Sequence, residues 1–174
     1  LITTNSGLWR YKIGDTVKFT SLNPYRIIVS GRTKHYINTF GEEVIIDNVE
    51  NALEKVIEVH QCKIVDYTVA PKFMKSGKKG KHEWIIEFSK EPKNFKKFIE
   101  DLDFEIQKIN TDYKAKRFKN ITLDIPKLYL GRKNLFYDWL KKKNKLGGQN
   151  KVPRLSNDRT CLLYTSPSPR DVVP

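Results

Sequence analysis

Cysteine is scarce, with two in 174 residues. Cys62 and Cys161 form no Cys-x-x-Cys unit and stand at no metal-ligand spacing from His35, His60 or His82. A dithiol redox centre and a structural zinc site are therefore not expected, and no metal-binding residues are assigned. Cys62 opens a strand-like run and reads as a small buried apolar residue. This usage fits a reducing cytoplasm. No apolar run approaches the roughly 20 residues of a membrane span, so no membrane is expected among the partners. A phosphate-binding loop is missing too. The turn Lys75-Ser76-Gly77-Lys78-Lys79-Gly80-Lys81 is basic and flexible, but it lacks the Gly-x-x-x-x-Gly-Lys-Ser/Thr order between a strand and a helix. Leu1 opens on strand-like sequence with neither an initiator Met nor a basic-then-apolar stretch ahead of it, so a piece of a longer protein is expected.

Positive charge is abundant. The formal net charge is +13, which admits a nucleic acid, an anionic surface or an anionic small ligand as partner. The lysines sit in polar turns and on helix faces, such as Lys78, Lys79, Lys96, Lys97 and Lys141 to Lys143. They are not interleaved with aromatics as a base-stacking platform requires. A solvated surface is the plainer reading. A stand-alone basic nucleic-acid-binding module is the alternative, and a regulatory α+β domain is a second.

The last residues, 160–174, have neither helical nor strand period, and their Ser-Pro repeats break both. Cys161 to Asp171 reads as the in-frame translation of a sequencing-library adapter, with a native disordered tail as the other possibility. On the first reading native sequence stops near Arg159. Upstream, a β-meander is expected over Leu8–Lys12, Thr16–Thr20 and Arg26–Ser30, with turns at Gly14-Asp15 and Asn23-Pro24. Gly31 to Lys34 interrupts the pattern and marks a boundary. A small hairpin around Phe40-Gly41 follows, then a helix capped by Asp47 and Glu50. Strands are expected at Lys63–Ala70 and Glu83–Phe88, the second half-buried by its alternation. A long helix over Asn94–Tyr113, a strand at Asn120–Leu123 and a helix at Lys133–Lys143 complete the order. The prediction is an α+β domain, helices packed on a small antiparallel sheet, preceded by the meander.

Three segments carry candidate chemistry. In Tyr11-Lys12-Ile13-Gly14-Asp15, Gly14 permits a tight turn and Asp15 presents a carboxylate that can accept hydrogen bonds from two vicinal hydroxyls. A structural Gly-Asp turn is the alternative. In Gly31-Arg32-Thr33-Lys34, the Arg can reach a carboxylate or phosphate with two parallel bonds, or simply decorate a surface turn. In Leu146-Gly147-Gly148-Gln149-Asn150-Lys151-Val152-Pro153-Arg154, two glycines free the backbone ahead of a Lys and an Arg. Such a loop can swing a cation toward charge developing on an α-phosphate, and a disordered basic end would look similar.

Their order and spacing resemble the adenylate-forming superfamily, and within it the plant auxin-responsive (Gretchen Hagen type) acyl-acid–amido synthetases and their bacterial relatives. The resemblance runs from Leu1 to about Arg159. The run Thr3 to Asp15 is similar to that family's Tyr-Arg-x-Gly-Asp nucleotide motif, with Lys12 in place of the Arg. Gly31 to Lys34 is similar to the hinge between large and small domains. Ile109 to Tyr113 and Gln149 to Arg154 match later segments. The resemblance implies that residues 1–31 end a large adenylation domain, 32–34 are the hinge and 35–159 the small lid domain. It implies ATP with Mg²⁺, a carboxylic acid activated as an acyl-adenylate, and an amine or amino acid that takes the acyl group. Tyr11, Asp15 and Arg32 would bind the nucleotide, with Asp15 on the ribose. Lys34 would be the hinge residue and Lys151 the catalytic cation. No covalent nucleophile is required. The family's phosphate-binding segment and acyl pocket lie upstream of Leu1, so this piece is expected to be inactive alone. The Lys- and Asn-rich composition looks bacterial, and a monomer is expected.

Overall fold

The computed structural model describes residues 1–12, 14–32, 36–74, 79–147, 151–159 and 162, without the side chains of Thr16, Ser30, Gly31, Arg32 and Asn120. The first unit is an antiparallel hairpin of β1 (Asp15–Leu22) and β2 (Tyr25–Arg32), closed at Asn23-Pro24. The strand expected over Leu8–Lys12 reduces to one bridge between Ile2 and Tyr11. Gly7 at φ 99° and Arg10 at φ 48° interrupt the extended conformation on either side of Leu8 and Trp9. Side chains of the hairpin, Phe19, Leu22, Tyr25 and Val29 among them, are exposed.

A short pair follows, β3 (Tyr36–Ile37) with β4 (Val44–Ile45), around the expected turn at Phe40-Gly41. Helix α1 (Ile46–His60) starts one residue ahead of Asp47. Its cap is not the Asp47–Glu50 box. Asn48 accepts the N–H of Ile45 at 3.2 Å, and Glu50 is engaged elsewhere.

The sheet has order β5-β6-β7. Strands β5 (Lys63–Lys72) and β6 (Lys81–Lys90) pair antiparallel, and β7 (Lys127–Gly131) joins β6 in parallel. A parallel pair needs a crossover, supplied by α2 (Phe95–Ile109) and α3 (Thr111–Arg117). The single helix expected over Asn94–Tyr113 divides because Asn110 leaves the helical conformation and its side chain accepts the N–H of Tyr113 at 2.7 Å. The strand expected at Asn120–Leu123 is displaced to β7. Residues Phe118–Asn120 form a 3-10 turn, and Leu123 contributes one bridge, to Gly80.

Strand β6 is buried on both faces from His82 to Glu87, not half-buried. Trp84 and Ile86 pack with Val49, Leu53, Phe98 and Leu102 of α1 and α2. On the opposite face Ile85 packs with Ala70, Val152, Leu162 and Phe136 of α4 (Leu135–Lys142). Two carboxylates survive there because each is satisfied. Glu83 pairs with Lys72 and Arg159, and these charges outweigh the burial that would push its carboxyl up, holding it below the usual range. Glu87 accepts the N–H of Asn134 at 2.7 Å and of Phe136 at 3.3 Å at the start of α4. Leu162, in the segment expected to be adapter-derived, is 4% exposed in this second cluster. Among the described residues no helix is long and apolar enough to cross a membrane.

Candidate functional site

The candidate nucleotide residues lie at the open end of the first hairpin. Gly14 has φ 84°, the left-handed conformation that the expected turn requires. It delivers the chain into β1 with Asp15, half-buried, directly opposite Arg32 in the register. The first and last residues of the hairpin thus bring two of the sequence candidates together. Tyr11 is 53% exposed and is tied to the N-terminal segment by two backbone bonds with Ile2, at 2.8 and 2.9 Å. The side chain of Arg32 and all of Lys34 lie outside the described residues.

Lys151 stands at the start of a different structure. Its side chain is exposed and makes no hydrogen bond or ion pair with any described residue. The five residues after it form a strand-like strip beside β5. The N–H of Val69 donates to the carbonyl of Arg154 at 2.9 Å, and the N–H of Ser156 donates to the carbonyl of Val69 at 3.1 Å. Thr68, fully buried, donates its hydroxyl to the carbonyl of Pro153 at 2.7 Å. Val152 and Leu155 are buried on either side of that bond.

Arg154 closes the strip. Its Nη1 lies 2.6 Å from Glu50 Oε1 and its Nε 3.4 Å from Asp66 Oδ1. The guanidinium sits 5.2 Å from the centre of the Tyr67 ring. Tyr67 donates its hydroxyl to the same Glu50 oxygen at 2.5 Å. Burial first, and then Glu50, push the Tyr67 phenol up, so it remains a donor. These groups line a surface cavity of about 430 Å³ together with Leu53, Ile57 and Ile64.

Sequence reading quoted Arg154 without a role and missed Thr68, Glu50, Asp66 and Tyr67. The signal available was the apolar spacing of Val152 and Leu155, which marks a segment with a buried side. Cys62 is buried, and desolvation pushes its thiol up, as for an inert core residue. Among the described residues no three His, Cys, Asp or Glu side chains converge as metal ligands.

Comparison with known proteins decides the family. The model described as the GH3 family C-terminal domain matches residues 47–160, well over half of the chain. The model of the GH3 family central domain matches residues 1–32. The chain belongs to the GH3 family. This GH3 chain also shares its fold with the solved structure "GH3.15 acyl acid amido synthetase", at TM-score 0.74 and 19% identity. The match covers 99% of this chain and 33% of that one. A second structure, "AtGH3.15 acyl acid amido synthetase in complex with 2,4-DB", gives TM-score 0.73 at 19% identity, covering 99% and 32%. The GH3 chain spans about a third of the length of these structures. No curated protein matches it significantly. The central-domain match ends at Arg32 and the C-terminal-domain match begins at Asp47.

Proposed function

We propose that this chain is the closing part of an ATP-dependent acyl acid amido synthetase. In the parent protein a carboxylate attacks the α-phosphate of ATP, forming an acyl-adenylate and releasing pyrophosphate. An amine, typically an amino acid, then attacks the acyl carbon, giving an amide and releasing AMP. The relative solved with 2,4-DB supports a small carboxylic acid as acyl donor.

Asp15 holds the ribose hydroxyls, with Arg32 opposite it beside the nucleotide and Tyr11 on the approach. Lys34 serves the hinge. Lys151 meets the charge that builds on the carboxylate and α-phosphate during transfer. Mg²⁺ accompanying ATP would offset phosphate charge, and the described residues of this chain offer it no ligand set of their own. The protein works as a cytoplasmic monomer of the family's bacterial branch.

The observation that carries this reading is the exposed Lys151, without a hydrogen-bond or ion-pair partner among the described residues, at the head of a pinned strip in a chain whose hairpin places Asp15 opposite Arg32. The test is incubation of the full-length protein with ATP, Mg²⁺, a panel of carboxylic acids and amino acids. Amide and AMP in equal amounts are expected with at least one pair. Hydrolysis of ATP without amide for every pair would contradict it.

A further inference from the structure

The glycine-containing loop ahead of Lys151 suggests a cation on a swinging tether, but the residues after it are not tethered loosely. Val152 is buried one residue away. Pro153 confines Val152 to extended backbone, and its own carbonyl is taken by Thr68. The Arg154 carbonyl and the Ser156 N–H are both bonded to Val69. The Arg154 side chain spans Glu50 on α1 and Asp66 on β5. Arginine puts a separate nitrogen on each carboxylate, whereas a lysine would have to serve both from a single ammonium. Four independent attachments thus fall within the five residues that follow Lys151.

We propose that Arg154 is a positioning residue for Lys151: by clamping the strip to α1 and β5, it makes the cation move with the small domain as one body. This rests on the synthetase reading of Lys151. Its consequence is mechanical. The lysine's backbone is placed by docking of the whole domain, and a loosened strip would leave the cation present but misplaced. Misplacement by about 1 Å can cost on the order of 100-fold in rate. Arg154 lies three residues from Lys151 and its charge is already held by Glu50, so it is not itself needed on the phosphate.

The test is a double-mutant cycle in the full-length synthetase, reading single-turnover adenylation per active site and KM for ATP. Arg154→Ala is expected to slow adenylation by about 10- to 100-fold with KM for ATP within twofold. In a Lys151→Ala background the same change is expected to add less than twofold, because there is no cation left to place. Arg154→Lys should recover part of the rate, through Glu50 alone. Thr68→Val, which keeps side-chain shape and charge but frees the Pro153 carbonyl, should repeat the pattern if Arg154→Ala fails to fold. Full additivity of Arg154→Ala with Lys151→Ala, or an unchanged rate in Arg154→Ala and Thr68→Val, would overturn the proposal. If Lys151→Ala alone were as fast as wild type, the reading of Lys151 would fall first and the positioning claim with it. The two failures are therefore distinguishable.

Discussion

Thr68 and Pro153, 85 positions apart, are joined by a 2.7 Å hydrogen bond from the threonine hydroxyl to the proline carbonyl. Thr68 is fully buried at one end of this part-buried bond, so losing the hydroxyl removes the carbonyl's protein donor. Thr68→Val is expected to destabilise the domain by about 1–3 kcal/mol. Urea denaturation measures this, and amide exchange at Ser156 should quicken with it. Unchanged exchange would mean that the strip holds without this bond.

A second test concerns the loop of Phe40-Gly41. Glu42 and His82 are both buried, with Oε1 and Nε2 2.9 Å apart, and Glu42 Oε2 accepts the N–H of Phe40 at 2.6 Å. Burial pushes the Glu42 carboxyl up, but its bond to His82, that charge and the Phe40 N–H prevail and hold it below the ordinary 4.5. A depressed carboxyl contributes stability that is present above its unfolded value and is lost as pH falls through its folded value. Melting temperature should therefore drop on acidification below about pH 4.5. Glu42→Gln should be less stable at neutral pH and show a shallower acid slope. An equal slope in both proteins would remove Glu42 from the account.

Much of the fold was legible before the structure. The helix over α1, the strands β5 and β6 and the aromatic stripe of α2 follow from periodicity and bounding turns. What was not legible depends on distant partners. The burial of Glu83 and Glu87 needs Arg159 and the first turn of α4, which no local window contains. The break at Asn110 was hidden because an Asn inside a helical pattern reads as neutral until its side chain is seen capping α3. At the candidate site, the strip's pairing with Val69 is a long-range parallel contact with no local signature.

The buried ion pair of α2 and α3 predicts a large effect. Arg117 and Asp103 have side chains 7% and 6% exposed, with Nη2 and Oδ2 2.8 Å apart. Tyr113 donates to the other carboxylate oxygen at 2.6 Å. Arg117→Ala strands a buried carboxylate and should cost about 3–5 kcal/mol. Tyr113→Phe removes one charge-assisted bond and should cost about 1.5–3 kcal/mol. Chemical denaturation of each variant checks the order.

Among the described residues, the first hairpin supplies none to either buried cluster. Removing residues 1–32 should leave the melting temperature of the remainder within a few degrees. It should also reduce binding of an apolar dye, since Phe19, Leu22, Tyr25 and Val29 are exposed on that hairpin. Unfolding of the remainder would show that the hairpin is part of its core.

The central claim is that Lys151 delivers charge to the adenylation step of a larger synthetase. Carboxylate-dependent exchange of pyrophosphate into ATP measures that step directly in the full-length protein. Lys151→Ala should slow exchange by about 100- to 1000-fold, with ATP still bound through Asp15 and its neighbours. Exchange at the wild-type rate in Lys151→Ala would contradict the account.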